Sequence, residues 1–126
     1  MTPTQKIKWL VLEKLAQWRK TAPPPYPCPN VDELYDAEEG EGDWYDARAE
    51  VRGSGEDTGL PAEWSRNYEA KAVAKNLPDG TWVGWTYFYG GGKHGEPSAV
   101  PWMEDAYNVT SHEETRVVRV FNKPDQ

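Results

Sequence analysis

Eight consecutive residues, Trp82-Val83-Gly84-Trp85-Thr86-Tyr87-Phe88-Tyr89, are aromatic, β-branched, or glycine, with Pro78-Asp79-Gly80 before them and Gly90-Gly91-Gly92 after. A run of this length, without a polar face and with turn residues at both ends, predicts a strand buried on both faces. Such a strand needs a sheet around it and cover above and below, which constrains the rest of the chain. Leu77-Pro78-Asp79-Gly80 supports a tight turn. Upstream of it, Tyr68 to Lys75 is ambiguous: Glu, Ala and Lys favour helix, while Tyr68, Ala70, Ala72 and Ala74 alternate as in a strand. The turn favours a hairpin.

Further elements follow from periodicity. Thr115 to Phe121 alternates Val117, Arg119 and Phe121 against Arg116, Val118 and Val120, a strand pattern, and Pro101 to Tyr107 allows a short helix. At the other end, Ile7, Leu10, Val11, Leu15 and Trp18 recur at helical steps. Thr4 is a candidate N-cap, and Arg19 and Lys20 fall in the last turn, where cations favour the helix dipole. Pro23, Pro24, Pro25, Pro27 and Pro29 then end the helix in an extended segment. That segment contains a PxxP ligand pattern, but a strap across the protein's own aromatic residues is the simpler expectation. The fold class expected is α+β: a small antiparallel sheet of three or more strands, with an N-terminal helix and a short helix of the C-terminal half packed on it.

Composition separates this chain from a disordered one. Its 126 residues are only 37% hydrophobic, but seven Trp, seven Tyr and two Phe supply the burial that disordered segments lack. A single domain is expected, with a basic helix over 1–22, a Pro-rich, acidic and partly irregular segment over 23–66, and an aromatic-rich sheet core over 67–126. Charge follows the same division. Residues 1–22 carry five basic residues and one acid (+4), residues 23–66 twelve acids and three arginines (−9), and the remainder eight acids and six basic residues (−2). Neither a membrane span nor a signal peptide is legible, and one cysteine, Cys28, makes no internal disulfide; a reducing cytoplasm fits. The net charge of −7 argues against nonspecific binding to nucleic acid or membranes.

The acidic segment is not a plain solvating tail. Val31 to Asp57 holds eleven acids, interspersed with Leu34, Tyr35, Trp44, Tyr45 and Val51, which would dock it. Asp32 to Glu39 suits a short helix, Trp44 to Arg52 a strand, and Gly53 to Gly59 a mobile loop. Where rings and acids coincide, at Tyr35, Asp43, Trp44, Tyr45 and Asp46, a protein-binding surface is expected. An acidic surface of this kind can imitate nucleic acid and occupy a basic groove on another protein. A plainer use of the same charge is pairing with the +4 helix.

Catalytic and metal signatures are sparse. Gly90, Gly91, Gly92, Lys93 and His94 form a possible anion or nucleotide loop, because consecutive glycines let N–H groups converge and lysine neutralises phosphate. The P-loop pattern fails at Tyr87, where glycine is required, and at His94, where Ser or Thr is required. A bulged turn leaving the strand is the simpler reading. His94 and His112 lack metal-ligand spacing, and Cys28 between prolines is a poor candidate thiolate. No catalytic residue, metal ligand or cofactor is therefore assigned.

Gly80 to Pro97, followed by Trp102-Met103-Glu104-Asp105-Ala106-Tyr107, resembles the C-terminal part of small accessory proteins encoded by bacteriophages and prophages. The likeness covers about residues 67–121. It carries no catalytic residue over; it implies a host cytoplasm during infection or lysogeny, and action through a host or phage protein partner. The function expected is that of a noncatalytic accessory protein working by protein–protein contact. A nucleotide or small-molecule binder, an enzyme included, centred on 90–96, and a virion or assembly component, are the alternatives. Self-association through an open sheet edge at Thr115 to Phe121 also remains open.

Overall fold

A computed structural model describes residues 1–91 and 96–124. Helix α1 (Pro3–Arg19) begins with a reciprocal cap: Gln5 N donates to Thr2 Oγ1, and Thr2 N donates to Gln5 Oε1. Thr2, not Thr4, is thus the N-cap. The Thr4 hydroxyl donates instead to the Met103 carbonyl at 2.9 Å and ties the helix to the C-terminal half. Ile7, Trp9, Leu10, Val11, Leu12, Leu15 and Ala16 are all buried, so α1 is covered around most of its girth; Trp18, at its end, is exposed. The proline segment then folds back, and the Pro24 carbonyl accepts from Trp9 Nε1 at 3.2 Å. Tyr26 meets Trp9 edge-on at 5.2 Å.

Two helices follow, α2 (Val31–Glu38) and α3 (Gly42–Arg52), and both pack on α1. Strands β1 (Glu56–Asp57), β2 (Glu69–Asn76), β3 (Trp82–Tyr89) and β4 (Tyr107–Val109) form one antiparallel sheet in the order β1-β2-β3-β4. The hairpin β2–β3 runs from Glu69 opposite Tyr89 to Asn76 opposite Trp82. Its turn is closed by Leu77 N donating to Thr81 O at 2.9 Å, and by the Thr81 hydroxyl donating to Asp79 Oδ1 at 2.6 Å, with Gly80 at φ +84°.

Both faces of the hairpin are buried, as the unbroken apolar run requires. Val73, Val83 and Trp85 point into the core shared with the helices, and Trp85 Nε1 donates to the Arg52 carbonyl at 3.1 Å. Ala72, Ala74, Thr86 and Phe88 are buried on the opposite face. There Tyr107 lies across Gly84, where a β-carbon would stand 2.7 Å from the Tyr107 ring; only glycine lets that ring close over the strand.

The α+β architecture holds, but several expected elements differ. Trp44 to Arg52 is not a strand but part of α3: Trp44, Ala47 and Val51 lie at three- and four-residue spacing and are the residues it buries. Pro101 to Tyr107 forms no helix. Among the described residues the one helical turn nearby is the 3₁₀ turn Pro97–Ala99, while Trp102 docks on Trp85 at 5.6 Å and Tyr107 opens β4. Gly53 to Gly59 is not simply a loop, because it contains β1. Thr115 to Phe121 pairs with no strand among the described residues, and its side chains are exposed. Alternation prepares a segment for a sheet, but only a neighbour makes it a strand, and here β4 already holds that edge of β3.

Candidate functional site

The basic helix and the acidic segment meet directly. Arg19, at the end of α1, spans the gap between the C-terminus of α2 and the N-terminus of α3. Its Nη1 and Nη2 reach Glu38 at 2.8 and 3.0 Å, while Nη2 and Nε reach Asp43 at 2.8 and 3.1 Å. These bonds, Glu38 first and Asp43 second, raise the guanidinium above its ordinary value, and the bond to Arg19 holds Asp43 below the usual carboxylate range. One turn into α1, Lys8 Nζ donates to Asp32 Oδ1 at 3.0 Å and Gln5 Nε2 to Oδ2 at 3.1 Å, which lowers the Asp32 carboxyl in the same way. Asp32, Glu38 and Asp43 are therefore turned to holding α2 and α3 on α1.

The remaining acids of these helices face solvent. Glu33, Asp36, Glu39, Glu41, Asp46 and Glu50 are exposed, and none has an ion-pair partner among the described residues. Glu39 stands at the C-terminal end of α2, where the helix dipole disfavours an anion, and α2 has no basic residue in its last turn. Arg19 offsets that repulsion for Glu38 but not for Glu39.

Of the residues expected to make a binding surface, Tyr35, Trp44 and Tyr45 do come together. With Lys8, Arg48 and Met103 they line a cleft of about 510 Å³ between the helices. Tyr35 and Trp44 are buried and form its wall, at 5.7 Å between ring centroids, whereas Tyr45 is 61% exposed and stacks edge-on against Trp44 at 4.7 Å. Burial raises the Tyr35 hydroxyl above its usual value, with Arg48 opposing the shift. Arg48 stands over both Trp44, at 5.8 Å, and Trp102, at 5.4 Å, so a ladder of rings links exposed Tyr45 to the core at Trp85. Asp46 is exposed beside Tyr45, and Asp43 is held by Arg19. Of the five, Tyr45 and Asp46 are thus the exposed ones, Tyr35 and Trp44 are buried behind them, and Asp43 is tied to α1. Sequence reasoning missed Arg19 and Arg48 as organisers of the site: for Arg19 the +4 and −9 charge blocks hint at its pairing, and for Arg48 the signal is its place four residues after Trp44 on α3.

Within the possible anion loop, Gly90 and Gly91 have φ of +73° and +82°, and a β-carbon on Gly91 would come within 2.5 Å of the Asn67 carbonyl. These two glycines are required by the backbone path off β3. Gly92, Lys93 and His94 lie outside the described residues. Among the described residues, no group of three His, Cys, Asp or Glu side chains is placed to hold a metal, and no helix is long and apolar enough to cross a membrane. Compared with family models, curated proteins and solved structures, the chain matches none.

Proposed function

We propose that this chain is a noncatalytic bacteriophage or prophage accessory protein that works in the host cytoplasm by docking the acidic face of α2 and α3 onto a basic groove of a host protein. The observation that carries this reading is the set of six carboxylates on α2, α3 and the turn between them that are exposed and have no ion-pair partner among the described residues, with the exposed ring of Tyr45 beside them. Glu39, at a helix C-terminus that its own cations do not reach, costs stability locally, and a chain that retains an acid there presents charge outward. A tyrosine backed by a buried tryptophan offers a rigid apolar contact inside that field, the arrangement favoured at interface hot spots. The resemblance of Gly80 to Tyr107 to phage accessory proteins supports the context.

A partner that ordinarily holds nucleic acid in such a groove gives a direct test. The protein captured from bacterial lysate on the tagged chain is expected to elute on addition of duplex DNA and on raising salt, because both compete for the groove's cations. Tyr45→Ala combined with Asp46→Lys is expected to weaken capture at least tenfold without altering the circular dichroism spectrum. Capture indifferent to salt, DNA and this double substitution would refute the reading.

A further inference from the structure

Thr115 to Phe121 has the alternation of a strand and exposes its apolar side chains: Val118 is 75%, Val120 74% and Phe121 83% exposed, and Val117 entirely so. Four such side chains within five residues are a poor surface and a good interface. From Thr115 to Pro124 the segment has Arg116, Arg119 and Lys123 and no acid. Its one ion pair among the described residues, Arg116 with Glu114 at 3.3 Å, is solvent-exposed and worth little.

On the sheet, β1 is an edge strand whose Glu56 and Asp57 are both exposed and without an ion-pair partner among the described residues. An acidic edge repels ordinary strands. It suits a strand that brings arginines. Glu56 and Asp57, as neighbours, point to opposite faces of the sheet, and so do Arg116 and Arg119, three positions apart. Each face of an added strand would therefore bring one cation and two apolar side chains to an edge with one acid per face.

The same acids line a groove of about 330 Å³ with Leu60, Trp82 and Val109, and its rim is the root of the tail at Thr110 to His112. We infer that Thr115–Phe121 is an exchanged strand that adds to the β1 edge of a second copy of this chain, each copy giving its tail to the other. Because donor root and acceptor edge share one groove, two copies placed groove to groove about a two-fold axis start each tail beside the other's β1. This is the self-complementary condition for a closed dimer. The main-chain bonds of β1 would then supply affinity, and the arginine–carboxylate pairs the choice of edge.

Sedimentation equilibrium of the full chain is the test. A dimer is expected. A chain ending at Glu114 is expected to be monomeric, and Val118→Asp with Val120→Asp to weaken the dimer at least tenfold. Glu56→Lys with Asp57→Lys is expected to weaken it similarly, and adding Arg116→Glu with Arg119→Glu to restore it. A full chain that stays monomeric, its tail then lying free or in its own groove, overturns the proposal. So does a dimer that survives loss of the tail, and a tail-dependent dimer indifferent to the charge exchange overturns the assignment to β1.

Discussion

Gly84 is where a single residue most sharply controls the fold. The Tyr107 ring occupies the space a β-carbon would fill, so Gly84→Ala is expected to lower unfolding free energy by about 1–3 kcal/mol, the usual cost of overpacking. Urea denaturation checks this. With Tyr107→Ala in the background the cost of Gly84→Ala should shrink, because one of the two side chains a β-carbon would meet is gone and only Val109 remains; an additive double mutant would contradict the contact. Asp32 and Asp43 carry a second prediction. Their carboxyls are lowered in the folded chain by Lys8 and Arg19, so the stability they contribute is present above the ordinary aspartate value of about 3.9 and is lost as pH falls below it. Urea midpoints at pH 7 and pH 3 should therefore differ less in Asp32→Asn with Asp43→Asn than in the natural chain. At this scale the sequence was half legible. Pairing a charged residue with a ring picked out Tyr35, Asp43, Trp44, Tyr45 and Asp46 together, but could not tell which would turn inward, because that is decided by packing on α1 and by Arg19, which reaches Asp43 from that helix.

Among the elements, the hairpin was legible because its signals are local: an unbroken apolar run, a Pro-Asp-Gly turn and alternation. The helix α3 was misread because aromatic and β-branched residues at Trp44, Tyr45 and Val51 suggested a strand. Its helical spacing, Trp44, Ala47 and Val51, rests on an alanine that is fully buried but weakly hydrophobic. Tertiary packing against α1 decided the outcome. The Thr115 to Phe121 segment fails the other way, with a strand's pattern and no neighbouring strand among the described residues. The helices also carry a correctable defect. Glu41 is the N-cap of α3 and makes no side-chain cap bond, so Glu41→Ser should stabilise the chain by about 1 kcal/mol, the usual worth of a cap. A thermal unfolding midpoint that does not rise would contradict the assigned start of α3.

In the whole molecule, one core joins helices and sheet through Val11, Leu15, Val83, Trp85 and Trp102. Trp85 is fully buried at its centre, and Trp85→Ala should cost about 3–5 kcal/mol, seen as a large fall in the urea midpoint. Trp9, Tyr35, Trp44, Trp85, Phe88 and Trp102 are all buried, and these rings do much of the work that aliphatic residues do in more hydropathic chains. The charge of the molecule divides by role. Asp32, Glu38 and Asp43 meet α1 and serve the fold, while the unpaired acids of α2 and α3 contribute little to it. The proposed function depends on that division, and one binding measurement tests it most directly: capture of the lysate partner by the natural chain and by a chain with Asp36→Lys, Glu39→Lys, Asp46→Lys and Glu50→Lys, both confirmed folded by circular dichroism. The account predicts that the fourfold variant loses the partner. Retention of the partner at undiminished yield would contradict it.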